Sequence, residues 1–114
     1  MKFSIIPKQV AVHTHRERLE NQLHQSVVQG YKLALDAMQQ KLTLRRYSPS
    51  THQSYLSMFK MFLKYYFPKD LSMLNRPEVL TYLQWMITEK KASIAHQNQA
   101  INAIKFYLEQ VLGY

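Results

Sequence analysis

Hydrophobic side chains recur three and four residues apart in four stretches of the chain, which is the spacing of amphipathic α-helices. The first stretch covers about residues 16–41. Its apolar positions are Leu19, Leu23, Val27, Val28, Tyr31, Leu35, Met38 and Leu42. Gly30 interrupts this stretch, and a glycine costs about 1 kcal/mol in a helix interior. The pattern therefore also allows two helices that meet near Gln29 and Gly30.

The second stretch begins at Ser48 and ends near Tyr66, because the Phe67-Pro68 step disfavours helical geometry. Its predicted core face is Tyr55, Phe59, Phe62 and Tyr66. Between this helix and the next, Leu71 and Leu74 are predicted to fill part of the core.

The third and fourth stretches follow Asn75 and Ser93, two good helix-capping residues. The predicted buried side of the third is Val79, Leu83, Met86 and Ile87, and the predicted seam of the fourth is Ile94, Gln97, Ile101, Ile104, Leu108 and Val111. Ala100 and Ala103 would allow close approach of a neighbouring helix, and Gly113 is placed to end the fourth helix. The pattern predicts an all-α domain.

Composition agrees with one folded domain, since 46% of the 114 residues are hydrophobic and 12% are aromatic. The net charge is +8, and residues 41–105 hold ten basic side chains against three acidic ones. A compact basic domain suggests a polyanionic partner, nucleic acid first and an acidic membrane surface second. The chain has no cysteine, which excludes disulfides and thiolate metal sites. No membrane span or signal peptide is recognisable, so a cytoplasmic protein is expected.

Two helix starts share one sequence feature: a basic pair lies just before a serine cap. Arg45-Arg46 precede Ser48, and Lys90-Lys91 precede Ser93. Unpaired backbone N–H groups, hydroxyls and cations converge at such starts and can bind phosphate. Two ordinary solvated helix ends are the alternative interpretation.

The chain resembles the N-terminal core-binding, SAM-like domain of tyrosine recombinases, the phage integrase family. The residues that carry the resemblance are 44–66 (LRRYSPSTHQSYLSMFKMFLKYY), 71–86 (LSMLNRPEVLTYLQWM) and 90–113 (KKASIAHQNQAINAIKFYLEQVLG). The resemblance covers about residues 42–113. It implies a small four-helix SAM-like bundle, which we assign to residues 31–114. Residues 1–30 fall outside the resemblance and are expected to form an additional N-terminal helical or extended segment of unassigned role.

The resemblance further implies that the domain clamps duplex DNA, that a C-terminal catalytic domain of the same parent protein grips the other face, and that recombinase protomers meet on DNA. The candidate DNA-binding residues it implies are Arg45, Arg46, Tyr47, Ser48, Ser50, Thr51 and Ser54 at the first helix start. At the second they are Lys90, Lys91, Ser93, His96, Gln97, Asn98, Asn102 and Lys105. The basic and hydroxyl side chains are expected mainly on phosphates, and His96, Asn98 and Asn102 nearer the groove.

The sequence gives no reason to expect catalysis by this chain. His-x-x-Arg spacing occurs at His13–Arg16 and His15–Arg18, but both lie outside the residues that carry the resemblance and are not interpreted as the family's catalytic segment. Tyr114 follows the helical domain, so it is not interpreted as the nucleophile. No phosphate loop or carboxylate pair is present, and no cofactor is expected. His13 and His15 lack a third ligand for a metal. Besides a DNA-binding module, a helical protein–protein interaction module with no direct DNA role remains compatible with the pattern.

Overall fold

The computed structural model describes residues 14–113. Within them the fold is all-α, as predicted, with four α-helices that we label in chain order. They are α1 (His15–Leu44), α2 (Pro49–Tyr66), α3 (Arg76–Thr88) and α4 (Ile94–Phe106), with a short 3-10 turn at Leu71–Met73 and a π-helical continuation of α4 at Tyr107–Val111. The expectations for His13, for Tyr114 and for the first 13 residues of the N-terminal segment concern residues outside the described range. None of the described helices combines the length and apolarity needed to cross a membrane.

Helix α1 is one continuous helix of 30 residues, so the alternative of two helices meeting at Gly30 is wrong. Its first turn is fixed by a capping box: the Thr14 hydroxyl accepts from the Glu17 N–H (3.1 Å), and the Glu17 carboxylate accepts from the Thr14 N–H (2.7 Å). Cooperative helix propagation and the packing of residues on both sides carry the helix through the glycine.

The Gly30→Ala variant is expected to be more stable by about 0.5–1 kcal/mol, because alanine has the higher helix propensity and loses less entropy on folding. A Cβ at this position would have no heavy atom within 4 Å, so no clash offsets the gain. Thermal melting followed by circular dichroism should show a higher midpoint. Gly113→Ala is the contrasting variant, since Gly113 has φ +81°; it is expected to lower the midpoint. An unchanged midpoint in Gly30→Ala would contradict a continuous α1.

The core lies where α1, α2 and α4 meet, and the aromatic stripe of α2 supplies its centre. Phe59 and Phe62 are buried as predicted, and Tyr55 and Tyr66 pack at its margin. The ring of Phe59 stacks on Tyr107 at 4.5 Å between centroids. Predicted close approach is confirmed on α4, whose Ala100 and Ala103 are fully buried. Because these side chains are small, the backbones of α2 and α4 can come close together. Aromatic rings fill the remaining space between the two helices.

The predicted seam of α4 is confirmed at Ile104, which is buried, and at Leu108 and Val111, which pack against the core, but it is wrong at Ile94 and Ile101. Ile94 is 76% exposed and Ile101 is 39% exposed. The buried positions are Ala100, Ala103, Ile104 and Phe106, continued by Tyr107. Phe106 and Tyr107 bury more apolar area than isoleucine, so turning them inward is the more favourable solution. On α3 the same kind of correction applies to Ile87, which is exposed, whereas Tyr82 is buried and its pKa is raised by that burial.

The connection between α2 and α3 packs against the core. Leu74 is buried and Leu71 partly buried, as predicted. The Asp70 carboxylate accepts from the Ser72 N–H (3.0 Å), which caps the 3-10 turn. The Tyr66 hydroxyl donates to the carbonyl of Glu78 (2.6 Å) and links the end of α2 to the start of α3.

The first three turns of α1 project beyond this core. Leu19 and Leu23, predicted as apolar-face positions, are exposed, and the buried face of α1 begins at Val27. The radius of gyration of 18.2 Å exceeds the ~13 Å of a compact domain of about 100 residues. Leu19 and Leu23 have the spacing of an apolar helix face, but no described element buries them.

Candidate nucleic-acid interface

The first helix start is a tight turn followed by a cluster of hydroxyls. Arg46 has φ +60°, a left-handed conformation that redirects the chain after α1. Ser48 then caps α2, and its Oγ accepts from the Thr51 N–H at 3.3 Å. The same Oγ lies 2.9 Å from the Thr51 hydroxyl and 3.2 Å from the Ser50 hydroxyl. Three hydroxyls are therefore grouped at an N-terminal helix end that carries partial positive charge.

Tyr47 and Arg45 attach this start to the rest of the fold. The Tyr47 ring lies 5.7 Å from the Phe106 ring and 5.9 Å from that of Tyr55. The Arg45 guanidinium donates to the side-chain oxygen of Gln110. Tyr47 thus packs on two aromatic rings but is still 37% exposed, and Gln110 holds Arg45 in place. Arg46, Ser50 and Thr51 lie at the surface or are partly exposed.

The second helix start has the same local design. Lys91 has φ +51° and Ser93 caps α4, with its Oγ accepting from the His96 N–H at 3.1 Å. The Ala92 N–H donates to the Met86 carbonyl at 2.9 Å, which holds the connection against the end of α3. The Lys90 ammonium lies 5.6 Å from the centre of the Trp85 ring, in cation–π contact.

The two starts match in backbone as well as in sequence. In each, the second residue of the basic pair is left-handed, one further residue packs inward, and a serine cap follows. The four cations Arg45, Arg46, Lys90 and Lys91 are exposed, and none forms a salt bridge with a carboxylate of residues 14–113. Both starts therefore present uncompensated positive charge beside unpaired N–H groups.

The starts lie at opposite ends of α4. Tyr47 and Tyr55 contact Phe106, which ends α4, whereas Ser93 begins it. The twelve helical steps from Ile94 to Phe106 span about 18 Å. The fold does not merge the two starts into one pocket. It places them at the two ends of α4.

The exposed face of α4 carries the remaining candidates. Asn98, Asn102 and Lys105 are exposed at helical spacing and so share one side of the helix. His96 is half-buried. Gln97 is also half-buried, and its amide donates to the Ala92 carbonyl at 3.0 Å. This hydrogen bond stabilises the turn before α4. It also makes the Gln97 amide less available to a ligand than the amides of Asn98 and Asn102.

Two side chains near the first start were not predicted from sequence. Gln110 accepts from Arg45 across 65 residues, and no local pattern indicates such a pair. His52, in the first turns of α2, lies 3.1 Å from the Gln39 amide through Nδ1, and its buried Nε2 has no hydrogen-bond partner among the described residues. Within residues 14–113, no three His, Asp or Glu side chains are arranged to hold a metal ion.

The family model described as "Phage integrase, N-terminal SAM-like domain" matches residues 34–114. The chain belongs to this family. The predicted resemblance is thereby confirmed, and the match begins within α1, eight residues before the predicted start of the resemblance. The proposed division at residue 30 stays a prediction, since α1 continues unbroken across it.

Curated relatives of this integrase-family domain include proteins named "Integrase/recombinase" from Escherichia coli and Pseudomonas aeruginosa. Each is 28% identical to the chain over 78 residues, which is 68% of the chain and 23% of the relative. The chain thus spans less than a quarter of the length of these relatives. No solved structure gives a significant match.

Proposed function

We propose that this integrase-family domain is the non-catalytic duplex-DNA-binding module of a site-specific tyrosine recombinase, and that it holds DNA through its two basic helix starts. The observation that carries the proposal is the repeated geometry of a basic pair, a left-handed residue and a serine cap at both ends of α4. One such start is an ordinary helix cap. Two of them, flanking one polar helix face, are suited to a long regular polyanion.

The dimensions of α4 suit this role. The ~18 Å between its ends corresponds to about five base-pair steps of B-DNA at 3.4 Å each. In this arrangement the phosphate contacts at one end would come from Arg45, Arg46, Ser50 and Thr51. Those at the other end would come from Lys90 and Lys91. Asn98 and Asn102 would face the groove between them, where amide side chains can pair with adenine. Tyr47 and Gln97 would support the two turns through packing and hydrogen bonding.

The proposal includes the partners of the module. The relatives are named integrase or recombinase and are more than four times longer than the matched region. We place strand cleavage and joining in a C-terminal catalytic domain of the same parent protein, with other recombinase protomers assembled on the same DNA. In this scheme the chain described here supplies grip and orientation for DNA integration and recombination.

The deciding experiment measures binding to a labelled random-sequence duplex by fluorescence anisotropy over a range of salt concentrations. If about six phosphates are neutralised, the log–log salt slope is expected to be near −5. The Arg45→Ala/Arg46→Ala/Lys90→Ala/Lys91→Ala variant should lose most of this binding, with a slope nearer −1 to −2, because each lost phosphate contact removes about 0.9.

A matched control removes four positive charges elsewhere: Lys32→Ala/Lys41→Ala/Lys60→Ala/Lys64→Ala. This variant has the same net charge but intact helix starts, so it should bind nearly as tightly as the unmodified chain. Equal losses in the two variants would show that net charge, and not the helix starts, determines binding. A salt slope near zero in the unmodified chain would contradict DNA binding altogether.

A further inference from the structure

A second surface lies between α1 and α2, which run antiparallel. Gln39 meets His52 near one end of the pair (3.1 Å), and the rings of Tyr31 and Phe67 meet near the other (6.3 Å between centroids). Between these points the helices leave a groove of about 350 Å³. We call it the α1/α2 groove.

The floor of the α1/α2 groove is apolar. It is formed by Val28, Tyr31, Leu35, Leu63 and Phe67. Tyr31 and Leu63 belong to the core, but Val28 is 52% exposed and Phe67 is 41% exposed. An exposed phenylalanine beside an exposed valine leaves apolar area in water that a partner could cover.

The rim of the groove is basic. Lys32 borders it from α1, and Lys60 and Lys64 border it from α2. All three side chains are exposed, and no acidic residue lines this part of the groove. Lysine stems extend the apolar floor while their ammonium groups stay in water. A ligand that fits must therefore offer apolar side chains flanked by negative charge.

The groove continues along α1 toward Gln39. A neighbouring depression shares Leu35 and Lys60 with it and adds polar side chains, among them Gln53 and the acidic Asp36. From Val28 to Gln39 the combined length is about 17 Å, the length of three α-helical turns. A helix laid in a groove presents its apolar face at intervals of three and four residues.

We propose that the α1/α2 groove docks an amphipathic helix of about three turns from a protein partner, with acidic side chains on both flanks of its apolar stripe. We choose this ligand because its acidic side chains complement the basic rim of the groove and the other candidate ligands fit less well. Residues 1–13 contain Lys2 and Lys8 and no acidic residue, so they do not complement the rim. A second copy of a chain with net charge +8 does not either. Duplex DNA supplies negative charge but no apolar stripe for the floor.

This inference goes beyond DNA binding and uses different side chains. The groove lysines are not among the residues proposed to contact DNA, so each activity can be removed while the other is kept. A recombinase module with such a groove could hold DNA and an acidic protein segment at the same time.

The test uses two labelled synthetic helical peptides of about twelve residues, long enough for three turns. Both carry the same leucine stripe. One has glutamates on its flanks and the other has lysines. The acidic peptide should bind in fluorescence anisotropy, and in ¹⁵N-labelled protein it should shift amide signals of residues 28–39 and 60–67. The basic peptide should not.

The Lys32→Glu/Lys60→Glu/Lys64→Glu variant should bind the acidic peptide at least about tenfold more weakly, since three ion pairs are lost and replaced by repulsion. It should gain binding to the basic peptide. The matched control, Arg16→Glu/Lys41→Glu/Arg76→Glu, changes the same charge outside the groove and should keep the original preference. Val28→Gln, which removes an exposed part of the floor, should also weaken the acidic peptide and does not depend on the charge-reversed variant folding.

Four outcomes would overturn the proposal: equal binding of both peptides, no binding of the acidic peptide, equal loss in the control variant, or amide shifts confined to other helices. Competition by duplex DNA at the same amides would assign the groove to the DNA surface instead. Failure of DNA binding in the separate assay would leave this result unchanged, so the two proposals can be told apart.

Discussion

The Phe59→Ala variant is expected to lose about 3–5 kcal/mol of folding free energy, the usual range for deleting a buried phenylalanine. Phe59 is 1% exposed, stacks on Tyr107 at 4.5 Å and lies 6.0 Å from the Phe62 ring. Removing it leaves a cavity between α2 and the π-helical continuation of α4, where Tyr107 loses its stacking partner. Since small domains have total stabilities of about 5–15 kcal/mol, this loss is a large share of the total, and the midpoint of unfolding should fall clearly.

Urea denaturation followed by circular dichroism measures this loss directly. Met61→Ala is the matched control, because Met61 lies on the same helix but is 43% exposed. Its free energy of unfolding should change by no more than about 0.5 kcal/mol. If Phe59→Ala lost less than 1 kcal/mol, the packing of α2 against α4 described here would be wrong.

This contrast also shows which part of the fold the sequence predicts well. On α2 the aromatic residues repeat at helical spacing and are the largest apolar side chains available, so their pattern identifies the buried face without knowledge of a partner. On α4 two faces compete. The aliphatic face of Ile94 and Ile101 forms a regular seam, whereas the face with Ala100 and Ala103 is small. Which face of α4 is buried depends on the surface of α2 that packs against it. The sequence of α4 alone does not reveal that surface.

Long-range and interhelical contacts limit the prediction of the site in the same way. The serine caps at Ser48 and Ser93 follow from local sequence, because a capping hydroxyl and the N–H it bonds lie three residues apart. The position of the two starts at opposite ends of α4, and the contact of Arg45 with Gln110, depend on how the helices pack. The DNA contacts themselves stay a prediction.

The length of α1 is a further case. Its apolar spacing from Leu19 onward predicts a helix, and a helix forms, but spacing alone cannot show where the core begins. The family match from residue 34 and the buried face from Val27 both place the bundle against the second half of α1. Leu19 and Leu23 fit the apolar spacing of α1, but their side chains are exposed to solvent.

The Arg46→Gly/Lys91→Gly variant is expected to change folding stability and DNA binding in opposite directions. Both residues have left-handed backbones, with φ +60° and +51°. That conformation costs a non-glycine residue about 1–2 kcal/mol. Glycine avoids this cost, but it loses more conformational entropy on folding, which offsets part of the gain in stability. The variant should therefore be more stable by roughly 1 kcal/mol in total, measured by urea denaturation. Its DNA affinity should fall, with a salt slope weaker by about 1.8, because two phosphate contacts are lost.

Alanine at the same two positions separates the two effects. Arg46→Ala/Lys91→Ala removes the same charges but keeps a Cβ in the left-handed conformation, so it should weaken DNA binding equally without the gain in stability. If the glycine variant were more stable and bound DNA as tightly as the unmodified chain, the left-handed residues would serve only to turn the chain, and the phosphate contacts would have to come from Arg45 and Lys90. If both variants lost binding while only glycine gained stability, the fold would be accepting backbone strain at the two points where a cation is held beside a helix N-terminus. That combination is the one expected of a surface shaped for DNA.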